Sequence, residues 1–268
     1  MSEKFMSAIT WVAAAITIAI LFFIVGFILV RGVPHLRPSL FAFTYTSENA
    51  SLMPALVTTF AMALLTLAAA VPIGIFSAIY LTEYAARGNR AVAAVRTAAE
   101  TLSGIPSIVF GLFGALFFVE FLGWGRSVLA GALTLSMMIL PLVMRSAEEA
   151  IKSVPDAYRE GAFGLGAGKL RTVFRIVLPS AAPGILAGVI LSVGRIVGET
   201  AALIFTSGTI AAIPENPMSS AETLAIHMYR MSNEVFHVNE GYATAVVLLA
   251  VTAAINIASV RIARRLSR

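Results

Sequence analysis

Cysteine is absent from all 268 residues, which excludes disulfide bonds, thiolate nucleophiles and cysteine-ligated metal. Charge is scarce too. Asp, Glu, Lys and Arg make up 12% of the chain, against about 25% in ordinary soluble domains. The three histidines, His35, His227 and His237, fall in stretches read as loops and lack zinc-ligand spacing. A nucleotide-binding loop is missing as well. Gly168-Lys169 comes nearest to a Walker A, but that pattern requires glycine at Phe163 and Ser or Thr at Leu170. Gly164-x-Gly166 would need a third glycine at Lys169 to form a dinucleotide loop. The chain is therefore not expected to hydrolyse ATP or bind a cofactor of its own. Basic and aromatic residues do not interleave as in single-strand binders, so the net charge of +5 points to membrane orientation.

What the chain has instead is apolar length. The hydrophobic share is 59% and mean hydropathy +0.89, the composition of an integral membrane protein with a single membrane domain. Six spans are predicted: Ala8–Val30, Pro54–Tyr80, Leu102–Leu122, Val128–Met144, Pro183–Phe205 and Tyr242–Val260. The first has too long an apolar core, and no small-residue cleavage site, for a signal peptide, so it reads as a retained helix. Pro72 and Gly74 mark a kink in the second, and Ser103-Gly104-Ile105-Pro106-Ser107 opens the third. Arg31–Ser51 and Ser207–Glu240 read as outer loops, the latter with a short helix over Ala221–Met231.

Basic residues orient these spans. Lys4, the Glu83–Glu100 loop with Arg87, Arg90 and Arg96, the 145–182 loop and the four terminal arginines place fourteen Lys and Arg on one side. The other side holds Arg31, Arg37, Arg126 and Arg230. The richer side, with both termini, is expected to be cytoplasmic.

Between the fourth and fifth spans lies DAYREGAFGLGAGKLRTVFRIVLP, Asp156 to Pro179. Asp156 is placed to cap a helix over Ala157–Leu165, Gly166–Gly168 to turn the chain, and Pro179 to end a second short helix over Lys169–Val177. A loop this long and basic between spans requires a soluble partner. The order Glu160-Gly161-Ala162, three residues, Gly166, nine residues, Ile176-x-Leu178-Pro179 resembles the E-A-A-x3-G-x9-I-x-L-P loop of ABC importer permeases. In that family the loop is a coupling helix that docks into the ATP-hydrolysing subunit. Gly161 departs from the usual alanine, at a cost to the helix of under ~1 kcal/mol. Glu148 and Glu149, beside the loop, are expected to be solvated.

The fifth span carries Arg195 and Glu199, spaced to share one helix face. Each charge costs about 2.5–3.5 kcal/mol at mid-membrane, which leaves two readings. One is a structural ion pair joining helices. In the other, Arg195 meets an anion in a polar pathway, its planar guanidinium donating two parallel bonds to an oxyanion, and Glu199 orients it and limits its grip. Gly184/Gly188 and Gly194/Gly198 are two G-x3-G pairs, read first as close helix packing.

Arg195-x-x-Gly198-Glu199-Thr200-Ala201-Ala202-Leu203, followed by Thr206-Ser207-Gly208-Thr209, resembles the fifth helix of PstA-type phosphate permeases. Ile105-Pro106-Ser107-Ile108-Val109-Phe110-Gly111-Leu112-Phe113-Gly114 is similar to the third helix of that group. The resemblance implies an all-α, six-helix permease of the type I ABC importer fold. It also implies a heterodimer with a PstC-like permease, two ATPase subunits holding ATP and Mg, and an external phosphate-binding protein. Arg195 and Glu199 would serve the substrate pathway, and Glu160, Gly161, Ala162, Gly166, Ile176, Leu178 and Pro179 the ATPase coupling. On this reading, residues 1–52 are the first helix and outer loop, 53–261 the transport domain and 262–268 a basic tail. The alternatives are a permease for another oxyanion such as phosphonate, an ion-coupled transporter without ATP, and a membrane enzyme, whose acid, base or metal clusters are missing.

Overall fold

The computed structural model describes residues 3–86 and 88–266. Arg87 of the basic loop and Ser267 and Arg268 of the basic tail lie outside the described residues. Apart from turns and loops, the described residues are helical, as the long apolar runs predict. The segments are α1 Glu3–Gly32, α2 Met53–Ile79, α3 Arg90–Ser103, α4 Ser107–Gly114, α5 Val128–Lys152, α6 Asp156–Gly164, α7 Lys169–Thr172, α8 Leu178–Val197, α9 Ala201–Thr206, α10 Leu224–Asn233 and α11 Val238–Leu266.

Among the described residues, five helical stretches are long and apolar enough to cross a membrane: Met6–His35, Met53–Tyr84, Val128–Lys152, Lys169–Val197 and Val238–Arg261. The third predicted span, Leu102–Leu122, differs. Gly104, Ile105 and Pro106 do not open a continuous helix but separate α3 from Ser107–Phe121 with a bend of 102°. Pro106 is held extended, as a residue fixed near φ −65° without an amide donor readily is. The second arm is α4 followed by a π-helical stretch, Ala115–Phe121, and measures only about 20 Å. The stretch expected to be a basic loop before it is the amphipathic helix α3, whose first free amides are capped by Asn89 Oδ1, accepting from Ala91 N–H at 2.9 Å.

Two further boundaries move. The fourth span does not stop at Met144. It runs on as α5 to Lys152, because Glu148, Glu149 and Lys152 are good helix formers carried past the apolar core. Pro179 does not end a helix either. The π-helical turn Val173–Val177 precedes it and Pro179 sits in the first turn of α8, where its missing donor and ring are tolerated. Lys169 to Val197 is thus one 29-residue helical stretch. The outer helix expected over Ala221–Met231 is present as α10, shifted to Leu224–Asn233.

The core has three parts. Met62, Phe110, Leu135, Ile139, Ile196 and Leu203 join α2, α4, α5, α8 and α9. Ile79, Val92, Met144, Ile151, Val177 and Ile185 join α2, α3, α5 and the α7–α8 stretch. Leu40, Leu52, Leu224 and Val247 close the loops after α1 and before α10 onto α11. Glycines permit the tightest crossings. A β-carbon on Gly184 would lie 2.7 Å from Ala150 Cβ, and one on Gly188 would enter Ser146. One on Gly111 would meet Ala202 Cα at 2.7 Å. The first G-x3-G pair is therefore a packing motif against α5, whereas Gly194 and Gly198 touch no other helix closely. α1 stands outside this core against α11, leaving Trp11, Phe22 and Phe23 exposed, as suits a helix facing lipid.

Candidate functional site

Arg195 lies in the last turn of α8, and Glu199 lies beyond the helix. The expectation that they share one helix face fails because α8 ends at Val197 and Gly198 closes it, its N–H donating to Gly194 O at 3.3 Å. Glycine is a common helix end, so this stop had a visible signal. Glu199 turns to the next helix, where Oε1 accepts Ala202 N–H at 3.2 Å at the start of α9. No ion pair within 4 Å joins Glu199 to Arg195 among the described residues, so the structural-pair reading is not realised in this conformation.

Arg195 opens instead onto a groove of about 470 Å³ between α5, α8 and α11. Leu142, Ile190 and Leu191 give it apolar walls, and Asn256 supplies an amide. A guanidinium in such surroundings keeps its fork of donors free for an oxyanion. Asn256, in the last third of the final span, was not singled out in the sequence. Its only signal was a polar amide in an apolar run.

The stretch after Glu199 is structural. Thr206, Ser207 and Gly208 are the floor on which the outer loop rests. Thr206 O accepts Ser127 N–H at 2.9 Å, and Ser207 O accepts the Ser220 hydroxyl at 2.8 Å. Gly208 has φ +96°, and a β-carbon there would strike Ser220.

At the opposite end, α6 projects from the spans. Pro155 precedes it in the cap position, so Asp156 is not its cap but lies in the first turn and pairs with Arg159 at 3.2 Å. The helix ends in a Schellman turn. Ala167 N–H donates to Ala162 O at 3.0 Å and Gly166 N–H to Phe163 O at 2.9 Å, with Gly166 at φ +80°. Ala162 is buried inward, while Glu160, Gly161 and Gly166 are exposed. Leu165, at the tip, is 91% exposed. Ile176, Leu178 and Pro179 lie in the α7–α8 stretch beneath, with Ile176 and Leu178 partly buried.

Arg159 fixes this projection and was not foreseen. Its guanidinium donates to Glu83 Oε1 at 2.8 Å, to Val154 O at 2.7 Å and to Ile151 O at 3.0 Å. It thereby ties α6 to the last turn of α5 and to the π-helical end of the second span, Tyr80–Tyr84. Glu148 is also not solvated as expected. It is buried, with Arg96 Nε at 2.7 Å and Lys152 Nζ at 2.6 Å. The Arg96 contact is close without the alignment of a hydrogen bond. Glu149 is exposed, as read.

The loop that carries α10 holds a second polar cluster. His227 lies in α10 rather than in a loop, fully buried, with Nδ1 2.6 Å from Glu222 Oε1. Arg230 donates to both Glu222 oxygens at 2.9 Å and to Tyr45 Oη at 3.2 Å. Burial opposes the Glu222 charge, but the hydrogen bonds with His227 and Arg230 and the Arg230 charge outweigh it and hold the carboxyl below its ordinary range. Burial likewise opposes the charge on Arg230, yet Glu222 and Tyr45 raise its pKa. No group of His, Asp and Glu suited to a metal occurs among the described residues.

A family model for the binding-protein-dependent transport system inner membrane component matches residues 70–268, which takes in the projecting loop and the Arg195 groove. The chain belongs to this family. A "Probable ABC transporter permease protein YqgI" of Bacillus subtilis is 34% identical over 251 residues, 87% of this chain and 84% of that protein. A "Phosphate transport system permease protein PstA 2" of Mycobacterium bovis is 34% identical over 211 residues, 77% of this chain and 69% of that one. The fold matches that of a bacterial ABC transporter involved in alginate import, at TM-score 0.69 and 18% identity over 99% of this chain and 100% of that one. The binding-protein-dependent permease is thus a multi-pass inner-membrane protein with the all-helical fold of type I ABC importer permeases.

Proposed function

We propose that this permease carries inorganic phosphate inward as part of an ATP-driven importer. The observation that carries the reading is the 34% identity, over 77% of the chain, to a protein named for phosphate transport. The Arg195 groove supports it chemically. A free guanidinium beside an amide suits a tetrahedral oxyanion, and the groove lining offers no carboxylate to a cation. Glu199 is the carboxylate that takes Arg195 back when the two sides of the pathway exchange access.

In this reading the exposed loop from Glu160 to Gly166, with Leu165 at its tip, docks into a separate ATPase subunit that holds ATP and Mg. Two such subunits, a second PstC-like permease and an external phosphate-binding protein complete the assembly. The basic side, with both termini, faces the cytoplasm. Residues 53–261 form the transport domain, preceded by a peripheral helix.

Labelled phosphate uptake at low concentration tests this, in cells lacking the chain, restored with it, or restored with Arg195→Gln. Uptake is expected to return with the wild type, to fail with Arg195→Gln, and to resist competition by sulfate and phosphonate. Uptake independent of the chain would refute the substrate. Normal uptake by Arg195→Gln would refute the residue's role.

A further inference from the structure

Two grooves of different chemistry meet at the inner end of α2. The first, about 430 Å³, lies between α2 and α3 with walls of Phe76, Tyr80, Leu81, Val92 and Val95. The second, about 400 Å³, shares Leu81, Asn89 and Val92 with the first and adds Arg90, Arg96 and Lys152. An apolar trough therefore opens at one end into a basic one.

The trough faces a bilayer. Phe76 and Tyr80 are exposed on a helix that crosses the membrane, and Val95 is exposed opposite them on α3. α3 meets the following segment at 102°, so it runs along the membrane surface when that segment enters the membrane. The basic end has uncompensated charge. Arg96 and Lys152 share the single carboxylate of Glu148, and Arg90 has no carboxylate within 4 Å among the described residues. α3 also begins here, and the first turn of a fourteen-residue helix favours an anion.

We propose that the double groove binds an anionic glycerophospholipid of the inner leaflet, with an acyl chain against Phe76, Tyr80 and Val95 and the headgroup phosphate on Arg90. A soluble anion would leave the trough empty, and a zwitterionic lipid would leave the arginine charge unmet. The bound lipid would anchor α3, which is joined to α5 through Arg96–Glu148 and Arg145–Glu100, beside the projecting α6. The site depends on the chain spanning a membrane but not on its substrate, so failure of the phosphate reading leaves it standing.

The test is native mass spectrometry of the full chain released from nanodiscs containing equal phosphatidylglycerol and phosphatidylcholine of matched chains. Preferential retention of phosphatidylglycerol is expected. Arg90→Gln should reduce that preference about fivefold, the effect of one cation at an anionic surface. Val95→Asn, which keeps the charge, should release the lipid by wetting the trough. Equal retention of the two lipids, or an Arg90→Gln chain that keeps the wild-type preference, would overturn the proposal. So would displacement by inorganic phosphate, which marks a free-anion site, or loss of lipid on adding the ATPase and second permease, which marks a protein interface.

Discussion

Arg159 and Glu83, 76 residues apart in the chain, meet at 2.8 Å with only 16% and 10% of their side chains exposed. Three elements converge on that guanidinium: α6, the end of α5 and the inner end of the second span. Glu83→Gln leaves the buried Arg159 guanidinium with the exposed Asp156 as its remaining carboxylate and should cost up to about 3 kcal/mol, with transport falling alongside stability. Glu100→Gln removes one of the two carboxylate partners of Arg145 in a fully exposed pair and should leave stability almost unchanged. Thermal unfolding of the two variants in one detergent compares them. Equal midpoints would mean that Asp156 and the carbonyls of Ile151 and Val154 hold Arg159 without Glu83.

Two glycines of the projecting loop should respond in opposite directions. A β-carbon on Gly161 meets nothing within 4 Å, and its φ is not positive, so Gly161→Ala should stiffen α6 by up to about 1 kcal/mol. Gly166 also has open space but sits at φ +80°, so Gly166→Ala should lose about 1 kcal/mol through backbone strain alone. Hydrogen exchange at Ala162 and Ala167 reads both changes. Slower exchange in Gly166→Ala would contradict the Schellman geometry.

The Glu222–His227–Arg230 cluster sets an acid limit. Glu222 titrates below its usual value near 4.5 when folded, so its contribution to stability is present in full above that value. It is lost as pH falls through the lower folded value. The loop that carries α10 should therefore keep its protease resistance from neutral pH to about 5 and lose it in stronger acid. Glu222→Gln should be sensitive throughout. Acid resistance equal to that of the wild type would show that His227 and Arg230 do not depend on the carboxylate.

Gly188→Val should disrupt insertion or folding, because the added carbons enter Ser146 on α5. Gly198→Ala should be mild by comparison, since the nearest atom to its β-carbon is Gly194 O at 3.7 Å. Expression and monodispersity in detergent separate the two. Similar behaviour would mean that the packing of α8 tolerates a gap.

The spans were legible because twenty apolar residues in a row have one economical solution in a bilayer, and the Glu160–Pro179 spacing survives in the projecting α6 and its turn. Charged and proline positions misled for physical reasons. Pro179 looked like a stop because a π-helical turn, which absorbs its missing donor, has no local signature. Gly104-Ile105-Pro106 looked like the start of a span, since its neighbours are apolar on the far side, yet it is a corner. Glu148 looked solvated because Arg96, which pairs with it, comes from another helix, and His227 was read in a loop because Glu222 and Arg230, its charged neighbours, fix the helix only in the folded chain. Arg195 and Glu199 were spaced for one face, and Gly198 between them was read as packing when it is the end of the helix. Tertiary ion pairs such as Arg159–Glu83 leave no trace in local spacing at all.

The 29-residue rod from Lys169 to Val197 is about 43 Å long and is gripped along its length where Gly184 and Gly188 press on α5. That contact is a fulcrum. The arm toward the projecting loop is about 25 Å and the arm toward Arg195 about 14 Å, so the rod trades travel for force. A 4 Å stroke at Lys169 would swing Arg195 about 2 Å the opposite way, a distance comparable to the making or breaking of one hydrogen bond. Spin labels at Leu170 and Leu191 should therefore move in opposite senses relative to α5 over the transport cycle, and movement in the same sense would show that the rod slides instead of tilting.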